Sequence, residues 1–109
     1  MTNYLGKHSF TPATLSELGV SGIGAAYATL VASQSRNMVS LLLSSSLNGD
    51  VYISFDGTNN HIWLPAGVSL TLNFAELDTV LVGGTTIYIK DGDSAPSAGK
   101  IAASPVYRS

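Results

Sequence analysis

Apolar and polar residues alternate with a period of two along most of this chain. In "NMVSLLLSSS", Val39, Leu41 and Leu43 fall on one side of an extended backbone, with Ser40 and Leu42 on the other. "DVYISF" repeats the pattern, with Val51, Ile53 and Phe55 set against Tyr52 and Ser54. "VSLTLNF" is the clearest case: Val68, Leu70, Leu72 and Phe74 face inward, while Ser69, Thr71 and Asn73 face out. "TTIYIK" puts Ile87 and Ile89 on one face. Weaker strands are expected at "AYATLVAS", "HIWL" and "KIAASPVYRS", the last with Pro105 suggesting a sheet edge.

Turn residues separate these runs. Asn48-Gly49 is the sequence signal of a two-residue type I′ hairpin. "DGTNN" turns the chain again. "LPAG" fits a type I turn with Pro65 second and Gly67 fourth. "DGDSAPSAG" is a long turn, and "AELDTVLVGG" suggests a helical turn at Ala75 to Leu77 and a short edge strand at Val80 to Val82. Seven or eight short strands with turns every ~8–12 residues predict an all-β chain, an antiparallel sandwich of jelly-roll-like form.

Residues 1–24 break the alternation. They predict an extended N-terminal arm ahead of a sandwich domain at 25–109. "TPATLSELG" fits one helical turn, with Thr11 as N-cap, Pro12 at the first position and Gly19 past the end. A single short turn is marginal in water and needs a surface to dock on. "GVSGIG" then reads as a flexible hinge.

Composition narrows the function classes. A chain of 109 residues is one domain. There is no cysteine, which excludes disulfides, thiolate zinc sites and thiol nucleophiles. Charged residues make up 11% of the chain, against about a quarter in a typical domain. The net charge is −2 and no basic patch exists to neutralise phosphates, so no nucleic-acid partner is expected. The longest aliphatic run, Leu41 to Leu43, is far short of a membrane span, and "MTNYLGKHSF" holds no signal-peptide core. Synthesis in a cytoplasm without bilayer insertion is the expectation. A neutral surface rich in Ser, Thr, Asn and Gly fits either a weakly charged soluble domain or a subunit covered by its neighbours.

Candidate chemistry is sparse. The two histidines are His8 and His61. "GVSGIG" lacks the symmetric glycines of a nucleophile elbow around Ser21, and no βαβ unit frames it as a dinucleotide loop. Asp91 and Asp93 match the first two ligand positions of a calcium loop, but Ala102 stands where the bidentate glutamate is required. Turn chemistry accounts for Asp50, Asp56, Asp91 and Asp93, leaving Glu17, Glu76 and Asp78 as the carboxylates outside turns. No catalytic, cofactor or metal residue is therefore assigned, and the chain is expected not to be an enzyme. One cluster merits attention: Asp56, Asn59, Asn60, His61 and Trp63. Polar groups around a ring could bind a sugar. The simpler account makes Asp56-Gly57 a turn and packs Trp63 in the core or on a partner, with its indole N–H satisfied.

The run "VYISFDGTNNHIWLPAGVSLTL", followed by "TTIYIKDGD" and "GKIAASPVYRS", resembles small β-sandwich virion proteins of tailed bacteriophages. The matching positions are Val51, Ile53 to Gly57, Asn60, His61, Leu64 to Gly67, Thr86 to Lys90 and Tyr107, within residues 37–109. The resemblance implies a capsid decoration (cement) subunit or a head–tail or tail accessory subunit. It implies a virion location after assembly in the host cytoplasm, a homo-oligomer with a trimer favoured, and the major capsid protein or other virion subunits as partners. It carries no active-site motif.

Overall fold

In the computed structural model, residues 10–12, 14–74 and 82–108 are described. They form nine strands: β1 (Phe10–Pro12), β2 (Ser16–Gly19), β3 (Ala28–Val31), β4 (Met38–Ser45), β5 (Val51–Ser54), β6 (Ile62–Leu64), β7 (Ser69–Asn73), β8 (Ile87–Asp91) and β9 (Lys100–Arg108). One 3₁₀ turn, Val20–Gly22, follows β2. The helical turn expected at 75–77 and most of the strand expected at 80–82 lie outside the described residues.

The pairing is nested. β5 pairs with β6, β4 with β7, β3 with β8 and β2 with β9, all antiparallel. The chain thus behaves as one long hairpin, bent at the β5–β6 turn and rolled into two layers. One sheet runs β1-β9-β4-β7, with β2 also on β9; the other runs β3-β8-β5-β6. This is the jelly-roll arrangement of an all-β sandwich.

The alternation seen in the sequence faces these layers toward each other. Leu41 and Leu43 of β4, Ile101 and Ala103 of β9, Val51 and Ile53 of β5, and Ile87 and Ile89 of β8 are fully buried. Each such Leu or Ile contributes about 1.5–3 kcal/mol through apolar area removed from water. Two strands depart from strict alternation. In β4 the register slips between Met38 and Ser40, and both Met38 and Val39 are buried. β3 slips between Thr29 and Val31, and both Leu30 and Val31 are buried. An extra residue at a bulge turns two neighbours inward.

Several expectations need correcting. Asn48-Gly49 does not close a hairpin, because β4 and β5 belong to different sheets. The segment instead lies along the 92–99 loop and the first residue of β9. Ser46 N donates to Lys100 O (2.8 Å), Asn48 N to Ala98 O (3.1 Å) and Asp50 N to Ser94 O (3.1 Å). Gly49 is needed for close approach rather than for positive φ: a Cβ there would sit 2.2 Å from Ser94 O. The "LPAG" turn is framed one residue later. Val68 N donates to Pro65 O (3.3 Å), and Gly67, at the third position, has φ +69°, as a type II turn requires.

Within residues 1–24 the expected helical turn and hinge are revised. Residues 10–12 and 16–19 are strands on β9, not a helical turn. Ile23 is buried, and Leu18 and Val20 pack against the core. "GVSGIG" is tied down rather than a loose hinge: Val20 N donates to Gly99 O, and Gly24 O accepts from Asp91 N.

Pro105 lies inside the sheet, not at its edge. An antiparallel strand directs successive N–H and C=O groups to alternate neighbours. Lys100 O accepts from Ser46 N and Arg108 N donates to Asn37 O, so both residues bond toward the β4 side. By alternation the Pro105 nitrogen faces the opposite neighbour. There β2 pairs with 100–103 and β1 with 106–108, so Pro105 stands at the break between them. Its missing N–H removes no ladder bond.

Candidate functional site

The predicted cluster divides into two unrelated parts. Asp56, Asn59 and His61 organise the β5–β6 turn. Asp56 Oδ1 accepts from Thr58 N and Asn59 N (both 2.8 Å), and Asp56 Oδ2 accepts from Asn59 Nδ2 (2.8 Å). Ser54 Oγ donates to Asp56 Oδ1 (2.9 Å) and accepts from Gly57 N (2.9 Å). The Asn59 and Thr58 amides, in that order, hold the Asp56 carboxyl well below the usual carboxylate range. Ser54, expected to point outward, is fully buried beneath this turn. His61 Nδ1 accepts from Phe55 N (3.0 Å), and the two rings stack at 5.5 Å. Asn60 Oδ1 accepts from the Tyr27 hydroxyl. These groups are engaged with one another, as the turn account expects.

Trp63 belongs elsewhere. It is 58% exposed, so it is not a core residue. Its indole Nε1 donates to Asp50 Oδ2 at 2.5 Å. The Asp50 carboxylate also accepts from Asp93 N (3.1 Å) and Ser94 N (2.7 Å). Asp50 is buried, and the indole first, then the Ser94 amide, lower its pKa below the ordinary aspartate value. This one side chain ties the β4–β5 corner, β6 and the 92–99 loop together. Asn48 ties the same loop a few residues on, its Oδ1 accepting from Ser97 N (2.8 Å) and Ala98 N (3.1 Å). Asp91 and Asp93, considered for calcium, sit at the mouth of this loop. Asp93 Oδ1 is 3.4 Å from the Tyr52 hydroxyl. Among the described residues no group of three or more His, Cys, Asp or Glu could hold a metal ion.

A cleft of about 390 Å³ opens beside Trp63, lined by Asn48, Asp50, Trp63, Pro65, Asp93 and Ser94 among others. It continues onto the outer face of the four-stranded sheet. There Trp63 stands opposite Tyr52, and Tyr52 opposite Lys90. Lys90 Nζ lies 4.8 Å from the Tyr27 ring centroid and 6.0 Å from that of Tyr52. Tyr27 meets Tyr88 edge to face at 6.4 Å. A stripe of rings around one cation thus crosses this face. The sequence shows all of these residues, yet their assembly depends on β5, β6 and β8 lying side by side.

The outer face of the five-stranded sheet is different. Its rows across β7, β4 and β9 are Asn73–Ser40–Val106, Thr71–Leu42–Ser104 and Ser69–Ser44–Ala102. None of these nine residues is ionisable. Leu42, at the centre, is 39% exposed. The pair Glu17 and Lys100 lies at the border of the grid (2.6 Å).

The other candidate residues are scattered. Ser21 lies in the 3₁₀ turn after β2, and Glu17 on β2 pairs with Lys100. His8, Glu76 and Asp78 lie outside the described residues. No helix among the described residues is long and apolar enough to cross a membrane.

No family model matches this chain, and no curated protein does. Solved structures do match. One is a chain of the cyanophage Pam1 capsid asymmetric unit: 12% identical, TM-score 0.56, spanning 99% of this chain and 90% of that one. Another is from Bacillus endospore appendages, described as disulfide-linked pili: 16% identical, TM-score 0.54, spanning 98% of this chain and 95% of that one. At these identities the likeness is one of fold, and it extends over nearly the whole length of each chain.

Proposed function

We propose that this chain is a non-enzymatic structural subunit of a bacteriophage virion: a decoration or cement protein that stabilises the head through contacts with the major capsid protein and with copies of itself, as a closed trimer. The observation that carries the proposal is the charge-free grid on the five-stranded sheet. Charged residues are depleted in the cores of protein interfaces, as are Ser and Ala, so the grid favours burial by its lack of charge and not by anchoring side chains. Ser, Thr and Ala also lose little side-chain freedom when covered, so docking such a face costs little conformational entropy. The jelly roll shared with a cyanophage capsid chain supports the same reading.

The size of the grid sets the strength of the contact. Three strands about 4.8 Å apart and five residues at about 3.3 Å each span a patch of roughly 10 by 13 Å. A stable interface covers about 800 Å² per partner. The grid alone therefore supplies a weak contact, which repetition around a closed ring and across a shell converts into a strong one. The pilus likeness supports the fold only. Those pili are disulfide-linked, and this chain has no cysteine.

The test is addition of the purified protein to undecorated phage shells, with native mass measured in parallel. Saturable binding at fixed stoichiometry by a trimer supports the proposal. A six- or twelve-fold ring that ignores shells moves the subunit to the neck, tail or baseplate. Absence of saturable binding to any virion part overturns the virion role.

A further inference from the structure

The cleft beside Trp63 lies on the four-stranded sheet, away from the neutral grid of the other sheet. It presents a large ring that the fold holds rigid without covering. Trp63 is 58% exposed, yet its indole N–H is fixed on a buried carboxylate at 2.5 Å. A ring already immobilised loses little further freedom when a ligand covers it. The volume of about 390 Å³ falls within the roughly 300–1,000 Å³ of small-molecule sites.

The lining selects the ligand. Among the residues Asn48, Gly49, Asp50, Trp63, Pro65, Ala66, Asp93 and Ser94 there is no cation, and there are two carboxylates. Anionic ligands are repelled. Asp50 is buried and already accepts from three protein donors. Asp93 and Ser94 are exposed at the rim, and the Tyr52 hydroxyl is beside Asp93. A ligand must therefore offer a flat apolar face to the indole and hydroxyl donors to a carboxylate a few ångströms away. A neutral pyranose has both: axial C–H groups on one face, and adjacent hydroxyls that can donate in a pair to the two oxygens of one carboxylate. One ring is too few for an aromatic cage around a quaternary ammonium group. We propose that the Trp63 cleft binds neutral oligosaccharides, with Trp63 as the stacking platform and Asp93 as the hydroxyl acceptor. This inference does not depend on the virion reading.

Trp63 is the sole tryptophan of the chain, so its emission reports on the cleft alone. The full chain is titrated with maltotriose, cellotriose and chitotriose, with sialyllactose as the anionic control, and is also applied to a printed glycan array. The expected result is a saturable emission change or array signal with at least one neutral glycan and none with sialyllactose. Asp93→Ala, an exposed loop change that leaves Trp63 in place, should weaken that binding at least tenfold. Trp63→Ala should lose the array signal, while Trp63→Phe, which keeps a ring but not the N–H, should retain part of it. Thermal melts of each variant confirm that it is folded. The proposal is overturned if no neutral glycan responds, if sialyllactose responds equally, or if array binding survives Trp63→Ala. It is also overturned if Trp63 emission changes only when phage shells are added, which would make the cleft a protein contact.

Discussion

The two sheets are alike inside and unlike outside. Inward, both carry branched aliphatics, Leu41 and Leu43 in one and Ile53 and Ile89 in the other, all buried without residual exposure. Outward, the five-stranded sheet shows small neutral residues around Leu42, whereas the four-stranded sheet shows Tyr52, Tyr88, Lys90 and Trp63. Inward positions are constrained by the need to fill one shared core, and the chemistry there is interchangeable between layers. Outward positions are released from packing and can differ. The neutral face suits a broad, flat neighbour; the aromatic face suits a ligand that stacks.

That contrast can be broken first from the inside. Leu41→Ala should cost about 2–5 kcal/mol by opening a cavity in the core, read as a lower urea midpoint. Leu42→Ala, one residue along the same strand but facing out, should stay within about 0.5 kcal/mol. Next is the corner that carries the cleft. Gly49→Ala drives a Cβ into Ser94 O and should cost about 1–3 kcal/mol by overpacking. The 92–99 loop should also lose hydrogen-exchange protection while the neutral face keeps its own.

Acid should act through the two turn carboxylates. Asp56 and Asp50 both have pKa values below the ordinary value of about 3.9. Below that value the unfolded chain takes up protons before the folded chain does, so stability falls as pH falls. Stability should be constant above about pH 5, decline below about pH 4, and keep declining until the folded carboxyls themselves protonate. Asp50→Asn should flatten part of this decline in pH-dependent melts, although it lowers the melting temperature at pH 7. The last change is read by assembly and not by stability: Leu42→Asp should shift the native mass toward monomer, because it places a charge at the centre of the neutral grid.

Much of the fold was legible residue by residue. The inward set Leu41, Leu43, Ile53, Ile87 and Ile89 follows from alternation alone, and so does the outward set Ser69, Thr71 and Asn73. The Asp56 turn was legible because its hydrogen bonds run between residues two or three apart. The corner at Asn48-Gly49 is not legible locally because its partners, Ser94, Ser97 and Ala98, lie more than forty residues away. The strands in 10–19 were missed because their hydrogen bonds come from β9 at the far end of the chain. The cleft could not be found by scanning for a local cluster. Trp63 stands within the predicted cluster, but its hydrogen bond runs to Asp50 and not to Asn60 or His61. Asp50, which directly follows Asn48-Gly49, is the residue that joins this corner to Trp63 and to the 92–99 loop.

The sequence by itself determined most of the inward positions of the central strands, the Asp56 turn, and, through the lack of cysteine, the absence of thiol chemistry. These are local or compositional properties: a strand's side chains alternate whatever it pairs with, and composition does not depend on shape. The tertiary structure alone decided which strand lies beside which, and therefore that Trp63 meets Asp50 and that Leu42 sits within a charge-free grid. Backbone hydrogen bonds are the same for nearly every residue type, so the pairing of β2 with β9 or β5 with β8 leaves no mark on any single stretch of sequence. Only closure of the whole core selects it.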